Sequence, residues 1–284
     1  MSFSIGCAIW AYKGWLGDFF PAGSSTSKFL QLYSQRFSTV ECNATFYSVP
    51  SAATVSRWRE QTPAGFEFCP KFPRSITHSG LLHQGIDAAL NFIDLMQGLG
   101  DRLGPIFAQL PPAYSPASFA DLETFFTGLQ HCGTPLALEV RHLDWFKSPY
   151  AEKLSELLHR LEVGRVLLDS RPMYQFPDDP QLGSQRRKPN VPLQPVVTAP
   201  FSIIRYISHP TFDLNQPFLE DWVRDIEQWL QHGTRIYFFV HCPVEAYSPR
   251  TAQYFHHLLQ QQHVPIPTLP WDQIAAEPQQ LTLF

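Results

Sequence analysis

At 284 residues, 44% hydrophobic and 14% aromatic, the chain has ample material for a core. That excludes general disorder and allows one large α/β domain or two ordinary ones. A formal net charge of −4 excludes the global basic field that drives strong non-specific duplex binding, while leaving room for a local basic groove.

The first strand is expected over Phe3–Ala8, followed by an aromatic loop through Trp10, Tyr12 and Trp15 and a helix near Ser27–Phe37. The second strand, Thr39–Asn43, ends in Glu41 and Asn43, two residues apart and so on one face. A helix over Ala52–Glu60 leads to the third strand, Phe66–Lys71, with Arg74 and His78 in the loop behind its tip. A glycine-stopped helix near Gln84–Gly98 precedes the fourth strand, Pro105–Leu110, where Gln109 is a polar residue in an apolar setting. After a helix near Ala117–Gln130 comes PLALEVRHLDW, Pro135 to Trp145, the stretch that organises the rest. Its apolar start reads as a strand covered on both faces, and its end turns abruptly polar. Ala137, Glu139 and Arg141 share a face, so a carboxylate and a guanidinium leave a buried strand side by side, which costs several kcal/mol unless they are paired.

A helix near Pro149–Glu162 leads to a sixth strand, Arg165–Asp169, with Asp169 and Arg171 in phase at its tip. The proline-rich stretch Pro172–Pro200, with its basic run Arg186-Arg187-Lys188, reads as a long loop. The seventh strand, Phe201–Tyr206, presents Arg205, and the eighth, Arg235–Val240, ends at His241, with helices near Pro217–Gln231 and Pro249–Gln262. Eight strands recurring at roughly 30 to 40 residues, most followed by a helix, predict a single (β/α)8 TIM-barrel-like domain over residues 1–265 and a flexible tail over 266–284. Nearly every strand is apolar at its start and polar at its carboxyl end, which is where barrel enzymes build their sites.

The expected site collects two kinds of group. Glu41, Glu139 and Asp169 could hold a divalent cation or divide acid and base work, with His142 orienting a group or shuttling a proton. Lys71, Arg74, Arg141 and Arg205 could clamp phosphate, since guanidinium groups meet its oxygens with paired hydrogen bonds. Asn43, Tyr47, His78, Gln109 and Trp145 complete the expected substrate contacts, one or two of the aromatic residues stacking on a base or sugar. A self-satisfied ion-pair network closing the barrel top is the alternative. No nucleotide-cofactor motif is seen, and the five cysteines, Cys7, Cys42, Cys69, Cys132 and Cys242, have no zinc-type spacing; four sit in or beside expected strands, so most of the five read as small buried thiols. The opening MSFSIGCAIW lacks the basic and apolar regions of a secretory signal, and no apolar run is long enough for a bilayer. A cytoplasmic protein without membrane association is therefore expected.

The strand ends Val40–Tyr47, Lys71–His78, Gln109–Pro112 and Glu139–Trp145, in this order, resemble the YecE-like family, filed as domain of unknown function 72. The resemblance implies a TIM-barrel-like fold and names no reaction. Leu167–Pro172 and Gln185–Pro189 look like the YecE branch, whereas Cys7-Ala8-Ile9-Trp10 and His241-Cys242-Pro243 depart from the family's common Thr-Ser-Gly-Trp and late asparagines. Separately, Gln280-Leu281-Thr282-Leu283-Phe284 looks like the pentapeptide by which bacterial replication and repair proteins hold the sliding clamp, with Thr282 in place of the usual Ser or Asp. Leu283 and Phe284 would enter a preformed pocket and Gln280 would set register, unless the tail docks on its own barrel. The expectation is therefore an enzyme acting at the rim on a phosphate-bearing substrate, small molecule or nucleic acid, with the sliding clamp as a partner. A non-catalytic ligand-binding adaptor and a sugar-phosphate isomerase or lyase are the alternatives.

Overall fold

A computed structural model describes residues 2–182 and 187–273. Arg186 and the pentapeptide Gln280–Phe284 lie outside the described residues. The described residues form eight strands: β1 Phe3–Cys7, β2 Thr39–Cys42, β3 Glu67–Pro70, β4 Ile106–Gln109, β5 Leu136–Glu139, β6 Gly164–Asp169, β7 Phe201–Ile207 and β8 Arg235–His241. All ladders are parallel, and they make a six-stranded sheet in the order β1-β8-β7-β6-β5-β4 and a two-stranded sheet β2-β3. The two sheets approach each other at two places. Lys71, just past β3, bridges to Phe107 of β4. On the other side β1 runs so close to β2 that a Cβ on Gly6 would lie 1.9 Å from the Thr39 carbonyl oxygen, so only glycine fits there.

Helices between the strands form where capping and apolar periodicity agree. Ser51 accepts from the Thr54 amide and caps the helix Ala52–Glu60. The helix Ile86–Gln97 buries Ala89, Phe92, Ile93 and Met96, a spacing of three and four that puts one stripe against the sheet. Gln216–Gln231 buries Phe218, Leu219, Trp222, Val223 and Ile226 in the same way. Each such side chain removed from water contributes about 1.5–3 kcal/mol. The outward strand residues and these helices share one large cluster, which includes Val40, Phe68, Ala108, Leu138, Leu167, Ile204 and Phe238.

A second, separate cluster is drawn from the opposite face of six strands: Cys69, Phe107, Ala137, Val166, Phe201, Ile203, Tyr237 and Phe239. This inner apolar layer is the floor on which the site stands. Residues 264–273 lie against the body, with Leu269 buried, Trp271 packed edge-on to Phe19 and Phe37, and His256 Nε2 donating to the Pro267 carbonyl. Among the described residues no helix is long and apolar enough to cross a membrane.

Candidate functional site

Strand alternation places the polar residues. Two residues after each inner-layer residue Cys69, Phe107, Ala137, Ile203 and Phe239 stand Lys71, Gln109, Glu139, Arg205 and His241, all on the same face and all buried. Glu41 of β2 joins them, fully buried. Six side chains from six segments thus form a charged layer directly above an apolar one.

Arg205 is its centre. Its Nε and Nη2 donate to Glu41 Oε2 and Oε1 at 2.7 and 2.9 Å, and its Nη1 donates to Glu139 Oε2 at 2.5 Å. Phe107 lies beneath, with its ring centroid 5.8 Å from the guanidinium carbon. Glu41 also accepts from Asn43 Nδ2 at 2.7 Å and from His241 Nε2 at 2.9 Å, while Asn43 reaches the Ala8 carbonyl and ties the exit of β1 to β2. Glu139 accepts from Arg141 Nε at 2.6 Å, and Arg141 Nη2 donates to Gln109 Oε1 at 2.7 Å. Lys71 Nζ donates to that same Gln109 oxygen at 2.6 Å and sits 4.0 Å from the centroid of the Phe46 ring.

This arrangement fixes the protonation states. Burial works to raise the pKa of Glu41, but the charge of Arg205 and the hydrogen bonds from His241 and Arg205 overrule it and hold the carboxylate well below its ordinary range. Glu139 is likewise pushed up by burial and pulled down further by Arg141, Arg205 and Lys71, to about 2. Burial carries His241 down to about 4 against the pull of Glu41, so at neutral pH the ring is neutral. Its Nε2 then carries the proton given to Glu41, and Nδ1 is left as an acceptor 3.5 Å from Lys188 Nζ. Burial, helped by Arg205, brings Lys71 down to about 7, with Glu41 and Glu139 only partly compensating.

The layer opens on a cavity of about 530 Å³ lined by Asn43, Phe46, Tyr47, Lys71, Arg74, His78, Gln109, Arg141, Arg187, Lys188, Arg205, His241 and Glu245, among others. His78 packs edge-on to Phe46 and is held down at about 4 by burial and by Lys71, Arg141 and Arg74. Arg74 and Tyr47 are exposed at the mouth. Glu245 also lines the cavity, its Oε1 shielded from solvent, and burial pushes its carboxyl up to about 7.

The structure brings together Glu41, Asn43, Tyr47, Lys71, Arg74, His78, Gln109, Glu139, Arg141 and Arg205 of the residues expected from sequence. It does not bring in Asp169, His142 or Trp145. Asp169 lies one residue out of phase: Val166 and Leu168 face inward, so Asp169 faces outward with Leu167. There it accepts from Arg171 Nε and Nη2 at 3.0 and 2.9 Å and from Trp222 Nε1 at 2.8 Å. His142 uses Nδ1 to cap the short turn Leu143–Phe146, accepting from the Asp144 amide. Trp145 is fully buried, and its Nε1 donates to the Tyr114 carbonyl. A metal set of Glu41, Glu139 and Asp169 is therefore not assembled, and the first two carboxylates are filled by guanidinium donors. Among the described residues no group of three or more His, Cys, Asp and Glu is arranged to hold a metal ion.

Lys188 and Glu245 are pocket residues that sequence reasoning placed elsewhere or passed over. Lys188 reads in sequence as part of a solvated basic run, and its loop must fold back for it to reach His241. Glu245 had one usable signal, an acidic residue four positions after His241 in the loop that follows β8.

A family model described as "Protein of unknown function DUF72" matches residues 4–274. The UPF0759 protein YecE of Escherichia coli K12 is 33% identical over 283 residues, covering 99% of both chains. The UPF0759 protein YunF of Bacillus subtilis is 27% identical over 149 residues, 49% of this chain and 52% of that protein. Among solved structures, a DUF72 family protein from Thermotoga maritima superposes with a TM-score of 0.67 at 19% identity, over 92% of this chain and 100% of that one. A DUF72 family protein from Enterococcus faecalis gives 0.64 at 16% identity, over 84% and 95%. These structures share the fold, and with the family match and the identity to YecE they lead to one conclusion: the chain belongs to the DUF72 family.

Proposed function

We propose that the pocket binds a small phosphate-bearing molecule and that the protein acts on it as an enzyme. The observation that carries this reading is the division of charge. Glu41 and Glu139 are already matched by Arg205 and Arg141 in the charged layer below the cavity, so Arg74 and Lys188 line it as positive charge with no carboxylate in ion-pairing distance among the described residues, and Lys71 adds its charge only in its protonated form. Arg187 is steered by Asp179 and lends its field at the edge. Such a surplus in a partly closed cavity focuses potential on an anion, and phosphate offers the oxygens that lysine and arginine bind best. Glu245, in the cavity lining with its carboxyl pushed up to about 7, is the acid or base this reading assigns. His142 and Asp169 have no part in it.

The same reading takes the eight strands as a closed (β/α)8 barrel with the pocket at its carboxyl mouth. The Lys71–Phe107 bridge and the close passage of β1 over Thr39 support closure. Nucleic acid is the less favoured substrate, because the charged layer lies at the bottom of a cavity and not along a groove.

Calorimetric titration with glycerol phosphate, and with glycerol as control, tests the proposal. Binding of the phosphate ester alone is expected, weakening at least tenfold in Arg74→Ala, since one charge-assisted hydrogen bond is worth about 1.5–3 kcal/mol. Equal affinity in the variant, or no binding of phosphate, pyrophosphate or glycerol phosphate, would refute it.

A further inference from the structure

We infer that Lys71 is an amine nucleophile that forms an imine with a phosphorylated aldehyde or ketone held in the pocket. The inference deepens the phosphate reading and rests on it for the substrate class. Its own ground is the way the pocket treats this one amine.

Most buried lysines are paired with a carboxylate, and two carboxylates are at hand. Neither reaches Lys71. Glu41 is held by Arg205, Asn43 and His241, and Glu139 by Arg205 and Arg141, so among the described residues no carboxylate lies within ion-pairing distance of Nζ. Its acceptor is instead the neutral Gln109 oxygen at 2.6 Å, which Arg141 also holds. An aromatic ring covers one side at 4.0 Å, and two guanidinium groups stand behind. Desolvation and neighbouring cations are the two devices that keep a lysine as a free amine at neutral pH, and a free amine is the nucleophile. The strand tip fixes the amine in the cavity wall, and Gln109 aims it.

The chemistry balances without a further reagent. The Lys71 lone pair forms a bond to the carbonyl carbon and the carbonyl π pair moves to oxygen, which takes a proton. The nitrogen then passes one of its two protons to that oxygen, which leaves as water with the carbon–oxygen bond pair, and an iminium linked to Lys71 remains. Arg74, exposed at the mouth, and Lys188, beside His241 in the same lining, supply the cations to take the phosphate.

The test uses pyridoxal 5′-phosphate as the phosphorylated aldehyde and pyridoxal as the control, each followed by borohydride reduction and peptide mapping of the full chain. At neutral pH an ordinary lysine is less than about 0.1% neutral, so Lys71 is expected to react at least tenfold faster than the exposed Lys13, Lys28, Lys147 and Lys153. Lys71→Met should lose the adduct. Gln109→Glu places a carboxylate beside the amine and should slow labelling severalfold with the fold intact by circular dichroism, which guards against a variant that simply misfolds. Preferential labelling by the phosphorylated aldehyde, with the preference lost in Arg74→Ala, supports both the imine and its substrate class. Equal labelling of Lys71 by both aldehydes keeps the imine and removes the phosphate reading. An adduct on Lys188 in place of Lys71, or protection of the pocket by phosphate with no adduct on Lys71, overturns the inference and leaves the phosphate site standing.

Discussion

Replacing Arg205 with Met gives the most direct test of how the charged layer is held. The guanidinium makes three hydrogen bonds to two fully buried carboxylates, at 2.7, 2.9 and 2.5 Å. Deleting one partner of a buried pair costs about 3–5 kcal/mol, because the other charge is left desolvated. Here two charges are left, but neither is bare: Glu41 keeps Asn43 and His241, and Glu139 keeps Arg141. A loss of about 4 kcal/mol at neutral pH follows, a large share of the roughly 5–15 kcal/mol that holds a domain together. Urea unfolding followed by fluorescence and circular dichroism measures it, the coincidence of the two signals checking two-state behaviour. The pH dependence identifies the cause. In the wild type both carboxylates have folded pKa values below their unfolded ones, so their contribution is present above the unfolded value and fades as pH falls through the folded one. In Arg205→Met the folded values rise above the unfolded, so the folded state takes up protons first and its deficit shrinks as pH falls. The gap between wild type and variant should therefore narrow by more than half between neutral pH and roughly pH 5. A loss under about 1 kcal/mol, or one that does not change with pH, would refute the account of Arg205 as the brace of two ionised carboxylates.

Lys71→Met should be more stable than wild type at neutral pH by on the order of 2 kcal/mol, the relief of a buried amine less one hydrogen bond. Because burial lowers the folded pKa of Lys71 to about 7, wild-type stability gains with pH from there towards the ordinary lysine value, and the variant's advantage should vanish across that window. An advantage that does not depend on pH would count against a titrating amine. Asp169→Asn should lose about 2 kcal/mol through its bonds to Arg171 and Trp222 while leaving glycerol phosphate affinity unchanged; weakened binding would return Asp169 to the site. Deletion of Gln280–Phe284 should abolish capture of the protein by immobilised bacterial sliding clamp, and undiminished capture removes the pentapeptide as the contact.

Alternation along strands made much of the site legible. Glu41, Gln109, Glu139 and Arg205 each stand out in sequence as a polar residue in an apolar run, and one parity puts them on one face. The method failed at β6 for a physical reason. Val166, Leu167 and Leu168 are apolar on both faces, because one face meets the inner layer and the other the helices, so the run carries no phase. Asp169 with Arg171 then looks like Glu139 with Arg141, although one pair faces the helices and the other the cavity. His142 and Trp145 lie past the end of β5, where alternation no longer applies, and what places them is a turn cap and a carbonyl on Tyr114 that sequence spacing does not reveal. Lys188 and Glu245 reach the cavity along loops whose path is set by packing.

An ion-paired layer and the cavity of the proposed site lie at two depths of one structure. Glu41, Glu139, Arg205 and Arg141 sum to zero charge, and with Asn43, Gln109 and His241 they satisfy one another in a closed layer over Phe107. Such a layer gains little stability over an apolar one, so its worth lies in what it does to the groups above it. By absorbing Glu41 and Glu139, it denies them to Lys71 and Lys188 as ion-pair partners. A Gln109 oxygen shared between Arg141 and Lys71 links the two depths on one side and His241, facing Lys188, on another, and through Gln109 the neutral layer fixes where the Lys71 amine stands.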